Sequence, residues 1–171
     1  VGTAALEHLG YRTRIGAHAL DRLRYLAGDD AARRADLQPM LDDPAVRAVI
    51  AARGGYGCQR LIPGLDLSGL HRAPKLVVGY SDVTALLTAI VRSGMVAVHG
   101  PMAAADFARG LSPASESHFV RLVSDPTYAW TASVPTPLRP GRAEGPLVGG
   151  CLSLLTALLG TPQAPVTDGA I

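Results

Sequence analysis

The sequence predicts an α/β fold in which a parallel sheet is covered by helices. Two short, almost continuously apolar runs, at residues 46–52 and 75–79, suit strands that are buried on both faces. The clearest helix pattern of the chain, residues 82–93, follows the second run directly and has apolar side chains at i, i+3, i+4, i+7 and i+8. Such alternation of buried strands and amphipathic helices is typical of a parallel sheet.

The N-terminal part of the chain is predicted to be largely helical. The first residues indicate a helix that ends at Gly10, followed by a short extended piece over residues 11–15. A second helix is predicted over residues 30–41, because Asp29 and Asp30 suit its positive end and an aspartate–proline pair stops it.

The remaining elements follow from local patterns of the same kind. A short helical segment is predicted around Arg60 and Leu61, and Gly94 ends the central helix. Residues 95–98 then supply another strand, and a helix is predicted over residues 152–159.

The composition excludes several classes of protein. Of the 171 residues, 48% are hydrophobic and 18% are charged, which is enough apolar side chain for a core and argues against global disorder. A net charge of +2 and an aromatic content of 5% argue against a nucleic-acid binder. No apolar run approaches the roughly 20 residues that span a bilayer.

Cysteines and histidines give no metal or disulfide pattern. Cys58 and Cys151 lie far apart, so a disulfide framework and a four-ligand zinc site are excluded, and burial is the expected role of both thiols. The five histidines have no spacing typical of metal ligands, and no metal site is predicted.

The sharpest local feature is the run Gly79-Tyr80-Ser81-Asp82-Val83-Thr84, in which a buried strand leads straight into a helix. A serine at such a junction has the placement of a nucleophile elbow, with its hydroxyl at the carboxyl edge of the sheet. An elbow has a second glycine two residues after the serine, where this chain has Val83. The alternative is that Ser81 is an ordinary helix N-cap.

A glycine turn, residues 53–57 (Arg-Gly-Gly-Tyr-Gly), follows the strand at 46–52. Because ligands bind beyond the carboxyl ends of parallel strands, this turn and Ser81 are predicted to face one crevice. Its glycines allow the backbone to approach a ligand and to point an N–H at it. The alternatives are a tight turn that needs positive φ angles and, less in keeping with the glycine spacing, a phosphate-binding loop.

Three further polar residues have ordinary explanations. His99 ends a strand, and a hydrogen bond to backbone is expected for it. Asp82 at the start of a helix favourably meets the helix dipole. Glu144 lies in a linker-like stretch and is expected to be exposed.

Taken together and in order, the motifs resemble those of the LD-carboxypeptidase family of serine peptidases, which includes the microcin-immunity peptidases. The resemblance extends over nearly the whole chain, and the order of the two glycine-containing motifs is its most specific part. The matching residues are Tyr25-Leu26-Ala27-Gly28-Asp29, Arg33-Arg34-Ala35-Asp36-Leu37, Asp43-Pro44, Ala52-Arg53-Gly54-Gly55-Tyr56-Gly57, Arg60-Leu61, Pro74-Lys75, Gly79-Tyr80-Ser81-Asp82-Val83-Thr84-Ala85-Leu86, His99-Gly100-Pro101-Met102 and Gly145-Pro146-Leu147-Val148-Gly149-Gly150.

The resemblance implies a serine carboxypeptidase with a Ser–Glu–His triad and no metal or organic cofactor. Ser81 is then the nucleophile, and the backbone N–H groups of Asp82 and Gly55 form the oxyanion hole. Gly54 and Tyr56 contact the substrate. The reaction implied is release of the terminal D-alanine from a murein tetrapeptide, in cytoplasmic cell-wall recycling.

The resemblance also implies that this chain is an interior fragment. The family's first strand precedes Val1, its catalytic glutamate and histidine follow Ile171, and Cys151 stands where the family usually has asparagine. The expected organisation is a flavodoxin-like or Rossmann-like domain over residues 1–134 that lacks its first strand, a proline-rich linker over 135–144, and the truncated start of a C-terminal domain over 145–171.

Two other functions remain open from the sequence. One is a microcin-immunity-type peptidase that hydrolyses a peptidyl-nucleotide amide. The other is a non-catalytic α/β module that binds a small anionic ligand at the glycine turn and the helix after Ser81. The expected partner is a murein peptide, with no nucleic acid and no membrane, and the complete protein is expected to be a homodimer.

Overall fold

A three-stranded parallel sheet is the centre of the molecule in the computed structural model, which describes residues 1–133, 136 and 139–171. The strands are β1 (Ala48–Ile50), β2 (Leu76–Gly79) and β3 (Val98–His99), in the order β1-β2-β3. Val49 pairs with Val77, and Gly79 pairs with His99. The predicted α/β class with a parallel sheet is therefore confirmed.

The helices of the described residues lie largely where the sequence predicts them. They are α1 (Gly2–His8), α2 (Asp30–Asp42), α3 (Gly69–Arg72), α4 (Thr84–Arg92), α5 (Pro113–Ser124) and α6 (Leu152–Ala157). The side chain of Asp29 caps α2 by accepting a hydrogen bond of 2.7 Å from the amide of Ala32. Gly94, with φ +83°, ends α4 as predicted.

Two helices and one helical turn have no counterpart in the sequence analysis. These are α3, α5 and a turn over Ala103–Phe107. Helix α5 begins with an ordinary cap, because the hydroxyl of Ser112 accepts a hydrogen bond from the amide of Ser115 at 3.2 Å and Pro113 follows it.

Strand β1 differs from the expectation that it is buried on both faces. Ala48 is exposed, and Val49 and Ile50 are half-buried. Within the described sheet, β1 pairs only with β2, so its outer side has no neighbouring strand to cover it. The other difference is that β3 is shorter than predicted.

The core is formed by α4 packing on β2. Residues 84–90 of α4 are all buried, which is why this helix has apolar residues on most of its surface. Val77 of the sheet and Leu41 of α2 belong to the same cluster. Leu158, just after α6, packs on Ile62, Ala85 and Ala89.

A buried lysine joins the sheet to α2. Lys75, 6% exposed, precedes β2, and its ammonium donates to the carbonyl oxygens of Met40 at 3.0 Å and Asp43 at 2.7 Å. These carbonyls lie at the C-terminal end of α2, where the helix leaves them without helical partners. The contact fixes α2 beside the edge of the sheet at which β2 begins.

The chain divides into two compact units. The first is Val1–Gly110 with Gly149–Pro165 and contains the sheet; the second is Leu111–Val148 with Val166–Ile171 and contains α5. The domain boundaries at 134 and 145 stay a prediction, since residues 134, 135, 137 and 138 at the predicted linker lie outside the described residues. Among the residues that the structure does describe, no helix combines the length and the apolar character needed to cross a membrane.

Candidate active site

Two turns meet at the carboxyl edge of the sheet. The glycine turn follows β1, and the Tyr80–Ser81 junction follows β2, the neighbouring parallel strand. A Cβ added at Gly54 would lie 2.9 Å from the Cβ and 3.2 Å from the Oγ of Ser81. The structure therefore brings the two predicted motifs into direct contact, and only glycine fits where they touch.

Ser81 has the backbone conformation of an elbow. Its φ is +59°, a left-handed value that non-glycine residues adopt only at a cost. The serine begins a helical turn, Ser81–Val83, that runs into α4, and the N-cap of that turn is Tyr80. Ser81 is therefore not the helix N-cap, which was the alternative interpretation of the sequence.

Gly55 and Gly54 need glycine for different reasons. Gly55 has φ +126°, and a Cβ added there would meet nothing within 4 Å. Its requirement is thus conformational, whereas that of Gly54 is the space beside Ser81. Gly54 thus allows the turn to pass close to Ser81, and Gly55 leaves open space beside the turn.

The side chain of Asp82 holds the glycine turn in place. Asp82 is 9% exposed, and its Oδ2 accepts a hydrogen bond of 2.8 Å from the amide of Cys58. The sequence analysis assigned the backbone N–H of Asp82 to the oxyanion hole and its carboxylate only to the helix dipole. That carboxylate instead joins the Tyr80–Ser81 junction to the end of the glycine turn, which no local pattern could indicate.

An arginine fixes the same turn from the other side. The Nη1 of Arg33 donates to the carbonyl oxygen of Gly57 at 3.4 Å, and its Nη2 pairs with Asp30. Asp30 also forms an ion pair of 2.8 Å with Arg60. Burial by itself would raise the pKa of Asp30, but the hydrogen bonds and charges of Arg33 and Arg60 outweigh it and hold the pKa below its usual value.

The thiol of Cys58 is inert in this setting. Burial, together with the negative charge of Asp82, raises the pKa of Cys58 to about 12. Since the thiolate is the nucleophilic form, Cys58 is not a candidate attacking group.

His99 differs from its expected role. It is exposed, and its ring stacks on that of Tyr80 with centroids 5.9 Å apart and an interplanar angle of 10°. The hydroxyl of Tyr80 donates to Asp106 at 3.3 Å, and Asp106 accepts a further bond of 2.9 Å from the amide of Met102. The sequence analysis did not identify Tyr80 and Asp106 as site residues, although Tyr80 precedes Ser81 directly.

Two other predicted residues lie at the surface. Tyr56 is 64% exposed, and its ring lies edge-on to that of Tyr25, with centroids 5.8 Å apart. Glu144 is exposed, as predicted, and pairs with Arg142 at 2.6 Å.

The segment around Cys151 packs on the start of α4. A Cβ at Gly150 would lie 2.4 Å from the side chain of Thr84, and the amide of Cys151 donates to the hydroxyl of Thr84 at 3.1 Å. A hydrogen bond from the hydroxyl of Ser153 lowers the pKa of Cys151. Cys151 is half-buried, so the predicted burial of its thiol is only partial. Its contribution to the fold is the backbone hydrogen bond to Thr84, which lies three residues after Ser81.

No group of three or more metal-binding side chains is found in residues 1–133, 136 and 139–171.

The chain is similar to known carboxypeptidases. Residues 1–100 match the family description "LD-carboxypeptidase N-terminal domain". A probable murein peptide carboxypeptidase of Bacillus subtilis is 42% identical over 170 residues, covering 97% of this chain and 53% of that protein. A murein tetrapeptide carboxypeptidase of Pseudomonas aeruginosa is 38% identical over 167 residues, covering 91% of this chain and 53% of that protein.

A solved structure is also similar. The crystal structure of a muramoyltetrapeptide carboxypeptidase from Oxalobacter formigenes has a TM-score of 0.81 at 34% identity, covering 96% of this chain and 55% of that chain. The chain thus spans about half the length of the relatives it matches.

Proposed function

Because this chain belongs to the LD-carboxypeptidase family, we propose that it supplies the nucleophile and the oxyanion hole of a serine carboxypeptidase. The observation that carries the proposal is the conformation of Ser81, with φ +59°, against Gly54 at the carboxyl edge of the sheet. Strain of this kind persists where surrounding structure enforces it, and it is concentrated at functional sites. The strain here places a hydroxyl beside the backbone of a glycine turn.

In the proposed reaction, the Oγ of Ser81 attacks the carbonyl carbon of the peptide bond before the terminal D-alanine. A base removes the hydroxyl proton as the Oγ–C bond forms, and the carbonyl oxygen becomes an oxyanion. The backbone N–H groups of Asp82 and Gly55 donate hydrogen bonds to it. The tetrahedral intermediate collapses as the nitrogen of D-alanine accepts a proton and leaves, and water then hydrolyses the acyl-serine ester.

Asp82 and Arg33 prepare this arrangement without contacting the reacting atoms. Asp82 holds the amide of Cys58, and Arg33 holds the carbonyl of Gly57, so the glycine turn is fixed after its last glycine. An oxyanion hole stabilises charge only if its donors are already in position before the charge develops. Both residues are positioning residues in this proposal.

The base and its orienting carboxylate are proposed to be a histidine and a glutamate beyond Ile171. The similarity to relatives about twice as long supports this proposal. The murein tetrapeptide is proposed as substrate because two of the similar proteins carry that activity in their names. Under this proposal the protein acts in the cytoplasm on peptides from cell-wall recycling and forms a homodimer.

Replacing the nucleophile tests the proposal. We expect Ser81→Ala in the complete protein to lower kcat for D-alanine release by about 10⁴-fold or more, because triad members act as a unit. Ser117→Ala, at an exposed serine of α5, is the matched control and should leave kcat unchanged. Thermal unfolding of both variants checks that the fold is intact. Turnover near the wild-type rate in Ser81→Ala would overturn the peptidase function.

Two further assays separate the alternatives. A fluorophosphonate probe labels only an activated serine, so Ser81 should be labelled in the complete protein, and a non-catalytic binding module would stay unlabelled. Hydrolysis of a peptidyl-nucleotide amide in preference to a murein tetrapeptide would instead identify a microcin-immunity-type substrate.

A further inference from the structure

The molecule has a surface cavity that the proposed reaction does not use. Its volume is about 220 Å³, and it is lined by Leu23, Arg24, Tyr25, Leu26 and Arg60. Residues 23–26 form a tight turn that is closed by two backbone hydrogen bonds of 2.9 Å. The amide of Leu23 donates to the carbonyl oxygen of Leu26, and the amide of Leu26 donates to that of Leu23. We call this feature the basic cavity.

The basic cavity lies against the glycine turn. The Cδ2 of Leu26 would be 3.3 Å from a Cβ at Gly57, and the ring of Tyr25 meets that of Tyr56 edge-on. Gly54, at the other end of the same turn, touches Ser81. Since consecutive Cα atoms are about 3.8 Å apart, the turn spans at most about 11 Å from Gly54, which contacts Ser81, to Gly57, which lies against Leu26. An extended tetrapeptide, at about 3.3–3.6 Å per residue, is longer than this, so a peptide bound at Ser81 can reach the cavity.

The charge of the cavity is positive. Arg60 lies on its wall and is held by Asp30 at 2.8 Å, while Asp30 is shared with Arg33. The single carboxylate of Asp30 is therefore shared by two guanidinium groups. The exposed side chain of Arg24 also lines the cavity and brings the number of positive charges there to three against one negative charge.

The backbone of Arg24 is held in an uncommon conformation. Its φ is +56°, and Arg24 and Ser81 are the two non-glycine residues with positive φ among those the structure describes. At a surface turn, glycine or asparagine in this position would remove most of the strain. Here the strained position carries an arginine that lines the basic cavity.

We propose that the basic cavity binds a free carboxylate of the peptide substrate, at a point on the peptide away from the bond that is cleaved. Arg24 and Arg60 donate hydrogen bonds to that carboxylate, and Tyr25 and Tyr56, both more than half exposed, flank the peptide between the cavity and Ser81. The proposal rests on the proposed function, because the substrate must be a peptide bound at Ser81. It adds a second point at which the substrate is held, at Arg24 and Arg60.

A binding measurement tests the cavity without catalysis. In the complete protein with Ser81→Ala, calorimetry gives the Kd of a murein tetrapeptide and of the same peptide with every carboxyl group amidated except that of the terminal D-alanine. We expect the free-carboxylate peptide to bind more tightly. Adding Arg24→Asn, which suits the left-handed backbone, should weaken binding of that peptide about tenfold and leave the amidated peptide unchanged.

Arg47→Ala is the matched control. Arg47 is an exposed arginine next to the start of β1, at the opposite edge of the sheet, so its loss should change neither Kd. In the enzyme with Ser81 present, Arg24→Asn should raise KM about tenfold with kcat unchanged, because the carboxylate contact is made equally in ground and transition states. Inorganic phosphate competing more strongly than acetate would assign the cavity to a phosphate group and overturn the proposal.

The outcomes separate this proposal from the proposed function. Equal loss of affinity for both peptides, or no loss for either, would overturn the carboxylate site even if the enzyme releases D-alanine normally. Discrimination between the two peptides that depends on Arg24, in a protein that releases no D-alanine, would support the site while the proposed function fails.

Discussion

Ser81 and Gly54 depend on each other. Ser81 can keep its left-handed backbone because the glycine turn crosses it closely, and the turn can cross so closely because residue 54 has no side chain. The hydrogen bond from the amide of Cys58 to Asp82 is a second contact between the same two motifs. The proposed nucleophile and the backbone donors proposed beside it are thus fixed by a few short contacts, which is what preorganisation requires.

Substituting the two glycines should have separable effects on catalysis. In the complete protein, the Cβ of Gly54→Ala must displace Ser81 or the turn, and we expect kcat to fall by about 10²-fold or more because a misplaced nucleophile loses the attack geometry. Gly55→Ala has open space, so its effect is through φ +126°, and tilting this proposed donor should lower kcat by about 10²–10³-fold with a smaller change in KM.

Gly94→Ala is the control for the backbone strain at Gly55. Gly94 also has a positive φ, +83°, and open space around it, but it lies at the far end of α4. Both Gly55→Ala and Gly94→Ala should cost about 1–3 kcal/mol of stability, measured by urea unfolding, and only Gly55→Ala should lower kcat. If Gly55→Ala changes only KM, the turn serves uniform substrate binding instead.

Local sequence patterns predict the two motifs of this site but not most of the contacts between them. The glycine turn and Ser81 could be placed at one edge because parallel strands end there. That Gly54 rather than Gly55 touches Ser81, and that Asp82 holds Cys58, depends on how two loops cross in space. Periodicity along the chain carries no information about such a crossing.

The helices show the same division. Helix α4 was predictable because its apolar side chains recur at helical spacing and it lies between a strand and a glycine. Helix α5 was missed, even though Ser112 and Pro113 form an ordinary start, because the chain around it is polar and rich in proline. Strand β1 has the composition of a buried strand, and its half-exposure follows from its place in the sheet rather than from its sequence.

A histidine–carboxylate pair ties the segment before α2 to that helix. Asp36 on α2 accepts a hydrogen bond of 2.8 Å from the amide of His18, and its other oxygen lies 2.9 Å from the ring Nδ1. The hydrogen bond with Asp36 raises the pKa of His18 against the opposing effect of burial. Burial raises the pKa of Asp36, but the bonds and charge of His18 outweigh it and lower the pKa.

The pair should stabilise the fold most strongly in mildly acidic solution. Because the folded-state pKa of His18 is raised, its contribution is complete below about pH 6.5 and is lost as the pH rises through the raised value. Because the pKa of Asp36 is lowered, its contribution is present above about pH 3.9 and is lost as the pH falls through the lowered value. We expect the Tm difference between wild type and His18→Gln to be largest near pH 5–6 and to shrink toward pH 8.5.

His8→Gln provides the comparison for that measurement. His8 is exposed at the end of α1 and forms no ion pair in the described part of the chain, so its replacement removes an imidazole without removing a charge pair. A Tm difference for His18→Gln that is the same at every pH would mean that the pair contributes packing rather than charge.

Catalysis by Ser81 needs a base, and the place of that base in the sequence leads to a prediction about the chain as a whole. A serine hydroxyl is a poor nucleophile near neutral pH unless a positioned base takes its proton. His99 stacks on Tyr80 at the same edge of the sheet, but its ring lies flat against that side chain.

Since the base is proposed to lie beyond Ile171, we expect the 171-residue chain alone to release D-alanine from a murein tetrapeptide at least about 10³-fold more slowly than the complete protein. The measurement is free D-alanine after incubation of equal amounts of both, with Ser81→Ala and His99→Ala variants of the short chain alongside. Release at a rate near that of the complete protein, abolished by Ser81→Ala, would show that the base lies within these residues, and its loss in His99→Ala would identify that base.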